Sequence, residues 1–143
     1  MDDPAVKVKR LHPKAKLPER ATPDATGYDL YARLDNPVEV GTDPVRITTG
    51  IAIEAPRGFD VQIRPRSGLS AQGVIVTFGT IDSDYRGELL VNMYALPGKP
   101  HVVHDGDRIA QLVIAQFLAP GFLEEVKLSR TKRGGGGHGS TGR

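Results

Sequence analysis

Glycine and proline recur so often in this 143-residue chain that few uninterrupted stretches are long enough for an ordinary helix. There are seventeen glycines and eleven prolines. Each breaks regular structure, glycine through its backbone freedom and proline through its missing N–H. What lies between the breaks reads as strand. Phe59-Asp-Val-Gln-Ile-Arg64 alternates apolar and polar with period two, the signature of a half-buried strand. Further strands are expected at Val6–Leu11, Tyr28–Ala32, Val45–Thr49, Ile51–Glu54, Val74–Thr77 and Leu89–Leu96. Turn signals separate them at Asn36-Pro37, Gly41, Pro56-Arg-Gly58, Pro97-Gly98 and Asp105-Gly106. Ile109–Phe117 is apolar on both faces, so it belongs where both are covered, inside a sandwich or at a subunit interface. Only Ser67–Gln72 suggests a helical turn. The pattern predicts an all-β, jelly-roll-like antiparallel sandwich over residues 1–130 and a flexible arm over 131–143.

The end of that arm, Arg133-Gly-Gly-Gly-Gly-His-Gly-Ser-Thr-Gly-Arg143, cannot build a core, since six of its eleven residues are glycine. From Lys127 onward there are five Lys/Arg residues and no acid, so a chain of net charge +2 has a body near −3 up to Val126. That balance argues against a nucleic-acid surface. Glycines let backbone N–H groups approach a ligand, guanidinium and hydroxyl groups suit phosphate oxygens, and an imidazole stacks on a base. The arm reads as a lid over a nucleotide, or else as a plain flexible tail. The chain has no cysteine, which excludes disulfides, zinc–thiolate sites and thiol nucleophiles. No stretch approaches the roughly 18 apolar residues of a membrane span, and the acidic opening is unlike a signal peptide. A cytoplasmic protein without a membrane partner is expected.

Four further stretches are polar where a sandwich needs only turns. Ile81-Asp-Ser-Asp-Tyr-Arg-Gly-Glu88 places Asp82 between an apolar strand and a turn, where partial desolvation would suit a general base; it also reads as an ordinary Asp/Ser/Asp turn. In Arg64-Pro-Arg-Ser-Gly-Leu-Ser70, Arg66, Ser67 and the close backbone approach at Gly68 suit an anion, while Ser67 alternatively serves as a helix cap. Asp29 interrupts the apolar strand Tyr28–Ala32 and needs a partner, either a buried arginine or a hydrated metal ion. Gln111, in Gly106-Asp-Arg-Ile-Ala-Gln-Leu112, must satisfy a semi-buried amide, which a core or interface position also explains.

Taken together, these stretches resemble the trimeric dUTPase family (dUTP diphosphatases). The resemblance runs from about Val8 to Arg143 through five motifs in family order: Ala25–Ala32, Arg64–Ser70, Gly79–Glu88, Gly106–Leu112 and Arg133–Gly142. The strings Gly-Thr-Ile-Asp-Ser-Asp-Tyr-Arg-Gly-Glu and Arg-Gly-Gly-Gly-Gly-His-Gly-Ser-Thr-Gly carry most of it. It implies a homotrimer with three sites shared between subunits, the glycine-rich arm coming from a third chain. The implied reaction is dUTP + H2O to dUMP + pyrophosphate by water attack at the α-phosphorus, with Mg2+ on the triphosphate. By position, Asp82 would activate the water and Gln111 help to place it. Arg66, Ser67 and Gly68 would hold phosphate oxygens, and Tyr85 would pack under the deoxyribose, where a 2′-hydroxyl clashes. Backbone groups of a hairpin over Val74–Ile81, including Gly79, Thr80 and Ile81, would read uracil. Arg133, His138, Gly139, Ser140 and Thr141 would close over the nucleotide, and Asp29 would face the hydrated Mg2+.

Two rival readings share this nucleotide class: a dCTP deaminase-like enzyme, and a non-catalytic trimeric regulator that binds dUTP. Two positions depart from the family's habit. Phe78 stands where a smaller residue or proline is usual, and would either narrow the uracil pocket or pack outward. His138 stands where phenylalanine is usual, and an imidazole is a smaller stacking platform that can take up a proton near neutrality. Lid closure, read as KM, is therefore expected to vary with pH between about 5.5 and 7.5, and a flat KM across that window would refute this.

Overall fold

The structure, a computed structural model, describes residues 3–139, and over them the glycine and proline breaks leave eleven strands and one short helix. In chain order these are β1 (Lys7–Arg10), β2 (Tyr28–Tyr31), β3 (Val38–Val40), β4 (Val45–Thr48), β5 (Ile51–Glu54) and β6 (Phe59–Arg64). After them come α1 (Ser67–Ala71), β7 (Val74–Val76), β8 (Gly79–Ile81), β9 (Leu90–Ala95), β10 (His101–Val103) and β11 (Arg108–Gln116). Strands β5 and β6 fall where their sequence patterns put them, and the other expected strands differ by a residue or so at their ends. Strands β3, β8 and β10 were not expected. Each has three residues, too few for alternation to register.

The pairing is antiparallel throughout. One sheet runs β2-β11-β6-β8 and a second β4-β9-β7, with two-stranded ribbons β1-β5 and β3-β10 beside them. The inner faces meet in a single core, to which the first sheet gives Leu30, Val61, Ile63, Ile109 and Leu112. The second gives Ile47, Val74, Val91 and Met93. Burying each such side chain contributes about 1.5–3 kcal/mol, so this core, rather than the exposed ion pairs, holds the fold. Strand β11 is covered on its inner face at Ala110 and Leu112 and also on its outer face at Val113, as its doubly apolar pattern requires. Among the described residues no helix is long and apolar enough to cross a membrane.

Arg33 fastens the turn before β11. Its guanidinium, 9% exposed, donates from Nε to His12 Nδ1 (2.9 Å), from Nη1 to Asp105 Oδ1 (3.2 Å) and from Nη2 to Asp35 Oδ1 (2.8 Å). Asp105 Oδ1 also accepts the Leu34 N–H at 2.9 Å. Gly106, with φ of +82°, turns the chain so that its N–H reaches the Ala32 carbonyl (2.8 Å). These bonds fix the point from which Arg108 and Gln111 project. The Leu34 N–H first, and then Arg33, hold the Asp105 carboxyl below its ordinary value of 3.8. A depressed carboxyl stabilises the fold above the unfolded value and loses that contribution as pH falls through the folded one. The melting-temperature gap between the native protein and Asp105→Ala should therefore be full above about pH 5 and close as pH drops below 3.8. A gap unchanged down to pH 3 would show that the charge plays no part.

Candidate active site

Three of the polar stretches meet at one end of the first sheet. Gln111 on β11 stands opposite Asp29 on β2 and Arg64 on β6. Its Nε2 donates to the Pro65 carbonyl at 2.9 Å, so the half-buried amide is satisfied by the loop that leads into α1. Its Oε1 fills the space above Gly27, where any Cβ would collide with it. Gly27 is therefore required by Gln111, a need no local pattern announces.

Asp29, its side chain 16% exposed, lies between two guanidinium groups, with Arg66 Nε 3.4 Å from Oδ1 and Arg108 Nη1 3.9 Å from Oδ2. Arg66 Nη1 also donates to the Arg108 carbonyl at 3.3 Å. Of the two partners considered for Asp29, the protein itself supplies the arginine, twice. One carboxylate against two guanidiniums leaves positive charge for an anion. Burial, then the nearby acids Glu19 and Asp29, raise the Tyr31 phenol above its usual range, so it stays neutral with Lys16 Nζ 5.3 Å above its ring centre. Helix α1 starts at this cluster. Its N-cap is Arg66 (φ −95°, ψ 136°) and no side chain caps it, so Ser67 is not the cap that the sequence alternatively allowed. Ser67 and Gly68 are exposed in its first turn.

Asp82 and Tyr85 form a second corner. Asp82 follows β8 and is exposed, which corrects the expectation that its own chain would desolvate it. The Tyr85 N–H closes a turn onto the Asp82 carbonyl (3.0 Å). The Tyr85 hydroxyl donates to the Glu88 carbonyl (2.8 Å), and a Cβ at Gly87 would strike it. Asp82 borders an open cavity of about 700 Å3 with Thr80, Ile81, Ser83 and Phe117. The segment Val74–Ile81 is not a hydrogen-bonded hairpin, a second correction. Strand β7 pairs with β9 and β8 with β6, so the two arms belong to different sheets and their facing edges are not bonded to each other. Phe78, at the bend between them, is 72% exposed and so packs outward.

The two corners lie far apart. Val61 pairs with Ile81, so Asp82 sits at the Asp60 end of β6, whereas Gln111 pairs with Arg64 at the other end. Four residues along the strands is about 13 Å and two strand spacings about 10 Å, which separates Gln111 from Asp82 by roughly 16 Å. Beyond β11 the chain leaves the body as an exposed segment. Leu118, Phe122, Leu123, Val126 and Leu128 are all more than four-fifths exposed. Arg133 turns back only on its own neighbourhood, its Nε donating to the Gly136 carbonyl at 2.6 Å. His138 has φ of +51° and, like Gly139, is exposed. Ser140 and Thr141 lie outside the described residues. The single chain thus unites Asp29, Arg66 and Gln111, keeps Asp82 with Tyr85, Thr80 and Ile81, and, among the described residues, shows no side-chain hydrogen bond or ion pair from either group to the arm.

Among the described residues no three His, Asp or Glu side chains are grouped to hold a metal ion. Arg108 and Gly27 are the members of the first corner that the site residues drawn from the sequence did not include. Arg108 is the more legible of the two, since it opens a strand two residues after a turn glycine.

The sequence profile of the dUTPase family matches residues 13–142. The deoxyuridine 5′-triphosphate nucleotidohydrolase of Hydrogenobaculum sp. is 47% identical over 138 residues, 94% of this chain and 96% of its own length. That of Rickettsia bellii is 45% identical over 142 residues, 96% of this chain and 95% of its own. Among solved structures, the dUTPase of Staphylococcus bacteriophage 80alpha with dUpNHpp superposes with a TM-score of 0.85 at 26% identity, covering 97% of this chain and 99% of that one. The chain belongs to the dUTPase family.

Proposed function

We propose that the protein hydrolyses dUTP to dUMP and pyrophosphate, with each site assembled from more than one copy of the chain. The observation that carries this is the separation of the two corners within a family member. A general base must lie within hydrogen-bond reach of the water it activates, about 3 Å, and Gln111 must touch the same water. Within one chain roughly 16 Å divides Gln111 from Asp82. A neighbouring copy supplies the missing corner, and a homotrimer closes the arrangement with a third copy giving the arm. The apolar segment that carries the arm outward supports this, because exposed leucines and phenylalanines are stabilised when another surface covers them.

Asp82 of one chain takes a proton from water, the water oxygen bonds to the α-phosphorus, and the bond to the bridging oxygen breaks, its electrons leaving with pyrophosphate. Gln111 of another chain orients that water through the amide atoms not committed to Pro65. Arg66, with Ser67 and Gly68, holds phosphate oxygens, the charge left after Asp29 is matched favouring a triphosphate. The unbonded edges of β7 and β8 around Gly79, Thr80 and Ile81 accept uracil. The Tyr85 ring lies under the deoxyribose, and Arg133, His138, Gly139, Ser140 and Thr141 cover the nucleotide. A lone carboxylate already shared by two arginines does not hold an ion unaided, but it fits a hydrated Mg2+ carried by the triphosphate, with Asp29 facing its water shell. Bound there, Mg2+ neutralises phosphate charge.

Asp82→Asn should lower kcat roughly 10²–10⁴-fold while dUTP still binds. Refolding Asp82→Asn together with Arg66→Ala, each inactive alone, should restore turnover, because some sites then combine an intact corner from each chain. A mixture no more active than its components would mean that each chain holds its own whole site. Gly27→Ala should force Gln111 off Pro65 and cost about 10²-fold in kcat, with KM nearly unchanged. An unaltered kcat in a folded Gly27→Ala would remove Gln111 from the mechanism.

A further inference from the structure

The segment that bears Asp82 and Tyr85 is tied to β5 at successive points. Arg86 Nη2 meets Glu54 Oε1 at 2.9 Å, while its Nη1 donates to the carbonyls of Ser83 (2.6 Å) and Tyr85 (3.1 Å). Glu88 Oε2 accepts the N–H of Gly50, just before β5, at 2.9 Å. The Leu89 N–H donates to the Ile51 carbonyl (2.9 Å), and Thr49 Oγ1 donates to the Leu89 carbonyl (2.6 Å). Thr49 is the only buried polar residue among those described, so this last tie lies in the core. The Tyr85 hydroxyl rests on the Glu88 carbonyl between these ties.

Arg86 and Glu54 are both about half exposed, and a pair so placed adds little to stability. Its effect is on position. One guanidinium bonds the carbonyls on either side of Asp84 and a carboxylate on a strand anchored in the core, which fixes the path of the turn from Asp82 to Tyr85. A pocket that only packs against a sugar rejects one added hydroxyl by about 10²-fold, and a ring free to shift by about 1 Å forfeits much of that.

We propose that Glu54 and Arg86, the latter lining the cavity beside Asp82, are positioning residues that hold the Tyr85 ring rigid and thereby set the discrimination between deoxyribose and ribose. This rests on the reading of Tyr85 as the sugar platform. Lys7, paired with Glu54 across β1 and β5, has its Nζ 3.3 Å from Oε2, the oxygen that does not meet Arg86, and is a control.

The test is kcat/KM for dUTP and for UTP on the full chain with Mg2+. Glu54→Ala and Arg86→Ala should each lower the dUTP/UTP ratio about tenfold, chiefly by raising UTP turnover. The double variant should fall no further than either single, as for two ends of one contact. Lys7→Met should keep the ratio. Should Glu54→Ala not fold, Arg86→Lys, which keeps the charge but has one nitrogen where Arg86 uses two, Nη2 for Glu54 and Nη1 for the carbonyls, carries the same expectation. An unchanged ratio in the Glu54 and Arg86 variants, or losses that add in the double, overturns the proposal. Tyr85→Ala separates the two levels. A ratio that survives Tyr85→Ala sinks the sugar-platform reading and this proposal with it. A ratio that collapses in Tyr85→Ala but holds in the others sinks the positioning role alone.

Discussion

A half-buried amide in the middle of a sheet must find its hydrogen bonds inside the protein, since leaving one unmet costs about 1–3 kcal/mol. Gln111 meets that demand with the Pro65 carbonyl, and the rest of the phosphate corner follows. The bond pulls the end of β6 and the start of α1 against β11, which brings Arg66 to Asp29. The space for the amide exists only because position 27 lacks a side chain. Removing either member leaves the other without a reason for its place. The same side chain brings together three segments distant in sequence, at Gly27, Pro65 and Gln111, so the corner forms only once the sheet has registered.

On the outer face of that sheet the polar side chains of β6 hydrogen-bond to one another. Arg64 donates from Nε (3.0 Å) and Nη2 (2.9 Å) to Gln62 Oε1, and Gln62 in turn donates to Asp60. This line along β6 runs from the Gln111 end to the Asp82 end. Arg66 and Arg108, which share a single carboxylate, are left with charge to offer an anion. Arg64 thus spends donors on an amide within the face, while the excess of two guanidiniums over one carboxylate at its end attracts an anion.

How much of this was legible in the sequence differs by element. Strands β5 and β6 were, because alternation or a short apolar run between turn residues has few other meanings. Helix α1 was visible as the one gap in a strand pattern. Strands β3 and β10 were hidden, since three residues held by a partner far along the chain, His101 by Val40 and Val103 by Val38, leave no local signal. The hairpin over Val74–Ile81 was expected from the family resemblance, not from the local pattern. Its arms part because β9 and β6 each offer a longer edge. At the site, the residue types and their order were readable, while partnership was not. Nothing near Asp29 announces two arginines, and nothing near Asp82 reveals that its own chain leaves it in water. Glu54 and Gly27 escaped notice for the same reason, as each acts on a residue far along the chain.

The placement of the two corners at opposite ends of one sheet also bears on how such an enzyme can change over generations. On the proposed reading, the end around Asp29, Arg66 and Gln111 would handle what every nucleoside triphosphate has in common, while the end around β8 and Tyr85 would meet the sugar and base. No side-chain hydrogen bond or ion pair between described residues joins Asp29, Arg66 or Gln111 to Asp82 or Tyr85. Drift in the turn at Phe78, or in the strut behind Tyr85, can therefore be sampled without disturbing the triphosphate grip. The proposed grip on phosphate is thereby open to selection separately from the fit to sugar and base, whereas Asp82, joined to Tyr85 by a turn, moves with the second.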